Sequence, residues 1–332
     1  LYTQLWGMVL LPLALAVSYR VVSQGRGYFW AAFLLASTLM SHLLYGYMAF
    51  ITLGVLTSIQ PFTASSRGVL VSELLLRWKR LTILFLIVVL ATSYFLVPYF
   101  LNREYFDPTS WVKPVVMDSF GHSVVLEALV KGDLFDWQRF PSLTILVFLG
   151  VVICIYRWRE RPYLIPVVIF LFWLLLFFGR PTWGSIIDVM PLSRELQIHR
   201  FIGGVHLGGI FLSAITLATL WRWALRQGKG WYIPVTFSLT LLLLLPAYVE
   251  RRAYLVENAS IIDENILEVT ASIDELNGLL DGIGGLPTGR VIVGKATDDD
   301  TNRAHPSLDL QLGVAGVDLA SQTFHRYSLP VN

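Results

Sequence analysis

Between Trp6 and Tyr248 the chain is a succession of apolar runs, several of them close to twenty residues long, and no other feature restricts its fold as much. A helix rises 1.5 Å per residue, so about twenty apolar residues cross the ~30 Å hydrocarbon core of a bilayer. Backbone polar groups in that core have no water to bond, which leaves only helices and closed barrels as spanning structures. Charge content agrees. Charged residues make up 14% of the 332 and apolar residues 55%, whereas soluble domains carry about 25% charged residues. The eleven Trp and fourteen Tyr suit the two membrane–water interfaces, where amphipathic rings collect. The expected fold class is an all-α polytopic membrane bundle of about seven or eight transmembrane helices, with a small α/β segment at its C-terminus.

Spans are expected near 6–22, 81–101, 142–156, 163–178, 201–220 and 231–248. Residues 28–59 are long for one span and carry the polar interruption Ser41-His42. They read as a hairpin of two short helices, or as one long tilted helix. Among Arg67, Arg77, Lys79 and Arg80, the residues Leu70, Leu74, Leu75 and Trp78 recur at helical spacing. That pattern predicts an amphipathic helix over 68–80 lying on the membrane surface. Residues 1–249 then form the transmembrane domain. Residues 250–332 form an extracytoplasmic segment that opens a larger soluble domain. In it, Ser260 to Leu280 reads as an acidic helix and Arg290 to Gly294 as a short strand. Leu1 is not an initiator Met, and the chain is expected to be an internal piece of a longer protein.

Lys and Arg in short loops mark the cytoplasmic side. The stretches 157–162 and 222–229 are strongly basic, whereas the loops 102–141 and 179–199 mix in acids such as Glu104, Asp107, Asp118, Asp188 and Glu195. Alternation puts the basic stretches inside, the mixed loops outside, and the C-terminal segment outside in an integral cell-membrane protein. Only 28–59 begins and ends on one side in this scheme, which favours the hairpin. The net charge of +2 carries little information about partners, and nothing points to nucleic acid. The single cysteine, Cys154, lies in an apolar run and reads as a buried small apolar residue.

Ionisable residues at membrane depth are costly and mark functional sites. His42 lies at the hairpin turn, and His199, Gly203 and His206 share one helical face. Each His reads either as a packing residue bonded to a carbonyl or as a cavity-lining contact for a phosphate or hydroxyl. Arg200 lies at a helix N-terminus, where the positive dipole end prefers anions. A shared anion such as a lipid phosphate explains it, and so does a side chain that snorkels to headgroups. Glu104, Asp107, Asp118, Asp133 and Asp136 supply external carboxylates, fit in type for a general base or a divalent metal. No DxD pair occurs among them, no zinc or nucleotide fingerprint is present, and no metal ligand is assigned. The cofactor stays open, with a divalent metal compatible.

Three pieces carry a resemblance. They are Leu5-Trp6-Gly7 with Leu11-Pro12-Leu13-Ala14-Leu15, then Ser41-His42-Leu43-Leu44-Tyr45-Gly46, and the loop from Pro191 to Phe201. With Gly289-Arg290-Val291 beyond the last span, they resemble the prokaryotic membrane proteins called 6-pyruvoyl-tetrahydropterin synthase-related. That family is similar to the GT-C membrane glycosyltransferases, which take sugars from polyprenyl-phosphate donors on the external face. The resemblance implies transfer of a sugar from such a donor to a glycan or protein acceptor. The GT-C catalytic carboxylate belongs to a loop after an earlier span, so no base is carried over, and Asp107 and Asp118 stand as weak substitutes. On the lipid side the resemblance leaves Arg200, His199, Arg180, His42 and Tyr45 to hold the phosphate.

Two other classes stay open: a non-catalytic membrane scaffold or assembly subunit, and a transporter. A glycosyltransferase implies an external cavity lined by Arg200 and His199. A transporter implies a midplane cavity near His42 and His206, and a scaffold implies neither.

Overall fold

The computed structural model describes residues 2–59, 67–102, 114–193, 195–271, 277–278 and 280–282. Among the described residues the secondary structure is helical and no strand occurs. The strand expected at 290–294 and most of the C-terminal segment lie outside them, so no α/β segment is seen. The chain divides into two compact units: Leu1–Phe100 with Trp111–Pro246, and Leu101–Ser110 with Ala247–Asn332.

The first unit is a helical bundle. It opens with α1 (Tyr2–Gln24), α2 (Tyr28–Ser41) and α3 (Leu43–Ser58), followed by α4 (Arg67–Ala91) and α5 (Ser93–Leu101). Short helices α6 (Pro114–Asp118), α7 (His122–Lys131) and α8 (Asp133–Asp136) lead into α9 (Ser142–Tyr156) and α10 (Arg161–Phe177). After α11 (Arg180–Trp183) come two 3-10 turns, Gly184–Val189 and Ile198–Phe201, then α12 (Ile202–Arg226) and α13 (Tyr232–Ala271), which belongs to this unit only as far as Pro246.

Among the described residues three helices are long and apolar enough to cross a membrane, and up to five if each of two bent pairs counts as one span. Seven or eight spans are not shown by this measure: α2, α3 and α9 are shorter apolar helices of 14, 16 and 15 residues. At 1.5 Å per residue each covers only about 21–24 Å.

His42 interrupts the chain between α2 and α3 with extended backbone (φ −161°, ψ 111°). A Cβ on Gly46 would lie 2.6 Å from the Cβ of Leu39. Seven residues along one straight helix would separate these positions by about 10 Å, so the chain reverses here, and only glycine admits the close approach.

The surface helix expected over 68–80 and the span expected over 81–101 are divided differently. One helix, α4, runs through Arg80, and the break falls at Thr92, where the axis turns by 77° into α5. The Thr92 hydroxyl donates to its own helix at Val88 O over 2.7 Å, a bond that bends helices. Arg77 is buried beside its partner Glu73. Arg80 donates to Val22 O (3.1 Å) and Ser23 O (2.9 Å), satisfying carbonyls at the end of α1 where a cation is favoured. These contacts tie Arg77 and Arg80 into the bundle, while Val71, Leu75, Leu76 and Trp78 of the same half of α4 stay exposed.

With no hydrophobic drive between helices in lipid, small residues and polar bonds hold such bundles together. Gly204 and Gly208 of α12, four residues apart, let α10 approach: a Cβ on Gly208 would meet the backbone of Phe170 at 2.6 Å. Gly150 of α9 seats on Leu212 O, and the Thr216 hydroxyl of α12 reaches Leu146 O at 2.8 Å. At the centre the fully buried Trp173 of α10 donates Nε1–H to Thr52 Oγ1 of α3 over 2.9 Å and packs edge-on against Phe201.

Candidate functional site

The sequence-selected residues fall into two neighbouring sets of contacts. In the first, the break at His42 meets the 3-10 turn that opens into α12. Arg200 Nη1 donates to His42 Nε2 over 2.9 Å. A guanidinium has no acceptor, so Nε2 of His42 accepts, and the ring proton sits on Nδ1. That Nδ1 is buried without a hydrogen-bond partner. Tyr45, one turn along α3, packs edge-on against the His42 ring with centroids 5.1 Å apart. It is buried, and two glycines enclose it. A Cβ on Gly7 of α1 would come within 2.9 Å of its ring, and one on Gly203 of α12 within 3.3 Å of its hydroxyl.

Arg200 is the chemically unusual member. It is half-buried, and its one hydrogen bond among the described residues goes to a neutral imidazole. A guanidinium offers five N–H donors, so most of its donors and all of its charge remain uncommitted there. It also precedes the N-terminal end of α12, which adds a positive partial charge.

The second set is saturated. Arg180 donates to Asp118 Oδ1, Asp188 Oδ1 and Ser193 O, each over 3.0 Å. Two carboxylates thus balance one guanidinium, and the lipid-phosphate role expected for Arg180 meets a residue whose charge is already matched. Asp118, expected as a weak candidate base, is an ion-pair partner. In the sequence Asp188 stands only as one of the acids of the external loop, and nothing local marks it or Ser193 as a partner of Arg180. Gly179 makes this junction possible. Its φ is +67°, and a Cβ would fall 1.9 Å from Asp118 O. The end of α10 is closed by the same loop, with Ser119 Oγ on Phe177 O and Gly121 N–H on Phe178 O.

His199 Nδ1 donates to Val116 O over 2.6 Å and so ties α6 to the 3-10 turn beside Arg200. His206 Nε2 donates to Leu134 O over 2.8 Å, a packing role. Asp136 is buried and accepts from Leu143 N (3.1 Å), Thr144 N (2.8 Å) and Thr144 Oγ1 (2.8 Å). It satisfies orphan donors at the start of α9 and is structural. Asp107 lies outside the described residues.

Among the described residues no group of three or more His, Cys, Asp or Glu is placed to hold a metal. An open groove of about 710 Å³ lies between α3 and α4, walled by Phe50, Gly54, Trp78 and Phe85 among others. It is lined by none of His42, Tyr45, His199 or Arg200. Its size and apolar wall suit a hydrocarbon chain.

Comparison with protein families, with curated proteins and with solved structures finds no match to this chain.

Proposed function

We propose that the chain is a polytopic membrane protein of GT-C glycosyltransferase type. It moves a sugar from a polyprenyl-phosphate donor to a glycan or protein acceptor outside the cell, with Arg200 on the lipid phosphate. In this reading α1, α2, α3, the α4–α5 pair, α9, α10, α12 and α13 cross the bilayer. The α2–α3 pair forms a hairpin that turns at the external face, and the residues after 250 lie outside.

The observation that carries the reading is Arg200. A half-buried guanidinium whose one bond among the described residues goes to a neutral imidazole is an incomplete arrangement, since a buried charge is costly until paired. An anion completes it, and a phosphate matches the planar donor fork. As the sugar leaves, negative charge grows on that phosphate, and a fixed cation there stabilises it. The ion pair of Asp118 with Arg180 favours a base other than Asp118. A membrane scaffold is the second reading, favoured by the same engagement of Asp118.

The test uses the full chain in lipid nanodiscs, titrated with a polyprenyl phosphate and with the matching neutral polyprenol. The phosphate is expected to bind about tenfold or more tightly, and Arg200→Gln to abolish that preference. Equal binding of both lipids sinks the assignment. Preferential binding without sugar transfer from a polyprenyl-phosphate sugar leaves the scaffold.

A further inference from the structure

The end of α9, the start of α10 and the end of α12 meet at Tyr163. Arg157 caps the C-terminus of α9, Tyr163 lies in the first turn of α10, and Arg222 lies one turn before the end of α12. Tyr163 is buried, and its hydroxyl oxygen accepts from Arg157 Nη1. Arg157 Nε and Nη2 donate to Glu160 over 2.8 and 3.0 Å, so that cation is matched. Arg222 is not. Its Nη1 comes only to 3.5 Å of the same hydroxyl oxygen, the outer limit of a hydrogen bond, and this is its one hydrogen bond among the described residues. Two guanidinium groups converge on one phenol, and the carboxylate that pairs there, Glu160, belongs to the first.

Residues 157–160 and 222–229 carry five Lys or Arg (Arg157, Arg159, Arg222, Arg226 and Lys229) and one acid, so these helix ends hold far more positive charge than Glu160 balances. Cations are favoured at helix C-termini, which accounts for Arg157 and Arg226. It does not account for a second guanidinium on a phenol already bonded to another. A phosphate would supply the missing negative charge, and its oxygens match the planar donor fork of arginine.

The surroundings indicate which phosphate. Trp158, Trp223 and Trp231 are exposed at the same ends, and Trp collects at the membrane–water interface. Trp223 also packs edge-on against Tyr232, the first residue of α13, with centroids 5.0 Å apart. Val152 and Ile155, in the last turns of α9, are exposed as well. A soluble anion needs no apolar flank. A phospholipid uses both surfaces, its headgroup on the cations and its chains on the apolar helix faces.

We propose that Arg222, with Arg157 and Tyr163 beside it, holds the phosphate of an anionic membrane phospholipid. The proposal rests on α9, α10, α12 and α13 crossing the bilayer as in the reading above, and not on Arg200.

The test titrates the full chain in detergent with phosphatidylglycerol and with phosphatidylcholine of the same acyl chains, counting bound lipid by native mass spectrometry. Phosphatidylglycerol is expected to bind about fivefold or more tightly, and Arg222→Gln to remove most of that preference. Lys229→Gln removes an equal charge from the loop after α12 and is expected to leave the preference nearly unchanged, as is Arg200→Gln. Equal losses at 222 and 229 mean a diffuse positive surface and overturn the site. So does the absence of a preference in the unaltered chain. Binding of inorganic phosphate that depends on Arg222, with the two lipids bound equally, assigns the cations to a soluble anion and also overturns it. Loss of the preference in Arg200→Gln but not in Arg222→Gln moves the anionic lipid to the other site. Loss of the chain from membranes washed at alkaline pH overturns the membrane reading and this proposal together.

Discussion

Arg200 donates from Nη1 to Nε2 of His42 over 2.9 Å, joining two residues 158 positions apart in the chain. The bond links the reversal between α2 and α3 to the start of α12. Hydrogen bonds to a charged group contribute about 1.5–3 kcal/mol. A double-mutant cycle with His42→Ala and Arg200→Ala is expected to give a coupling energy in that range, measured by unfolding of the purified chain. Additive effects of the two substitutions mean that the contact is not formed in solution.

Arg180 and Arg200 are both arginines of the same loop region, and they are expected to behave differently. Asp118 and Asp188 already balance Arg180, so Arg180→Gln is expected to leave the preference for polyprenyl phosphate over polyprenol intact while lowering thermal stability. Arg200→Gln is expected to do the reverse to the preference. A loss of preference in Arg180→Gln as large as in Arg200→Gln identifies Arg180 as a lipid contact after all.

The glycines differ in what they touch. A Cβ on Gly150 would lie 2.3 Å from Leu212 O, a backbone atom that cannot step aside without moving α12. A Cβ on Gly54 would meet only Trp78 Cη2, at an ordinary 3.7 Å. Gly150→Ala is expected to destabilise by about 1–3 kcal/mol, and Gly54→Ala is expected to be neutral or slightly stabilising. Melting temperatures of the two variants, prepared alike, decide the matter; equal values contradict the close α9–α12 contact.

Asp136 supports the start of α9 from inside the bundle. Asp136→Ala leaves the backbone N–H groups of Leu143 and Thr144 without their acceptor and leaves the Thr144 hydroxyl to its longer 3.3 Å bond with Gly132 O, a loss of about 2–3 kcal/mol. Asp136→Asn keeps one acceptor oxygen and is expected to lose about half as much. Unfolding of both variants tests the order, and an Ala variant as stable as the Asn variant rules out the capping role.

What the sequence by itself determined is the helical, membrane-compatible character of the chain, because long apolar runs with few charges leave few other ways to satisfy a backbone. His42 was also visible as a polar interruption of an apolar run, and Arg200 as a cation at a helix N-terminus, whereas Tyr45 entered only with the family resemblance. The tertiary structure decided who meets whom. It brought Arg200 to His42 and gave Arg180 to Asp118 and Asp188, pairings set by helix packing that leave no mark on local spacing. It also carried α4 unbroken past Arg80 and bent it at Thr92. An amphipathic stretch and an apolar stretch have the same 3.6-residue period, so periodicity alone cannot separate them. Only the burial of Arg77 and the grip of Arg80 on the end of α1 fix where that helix lies.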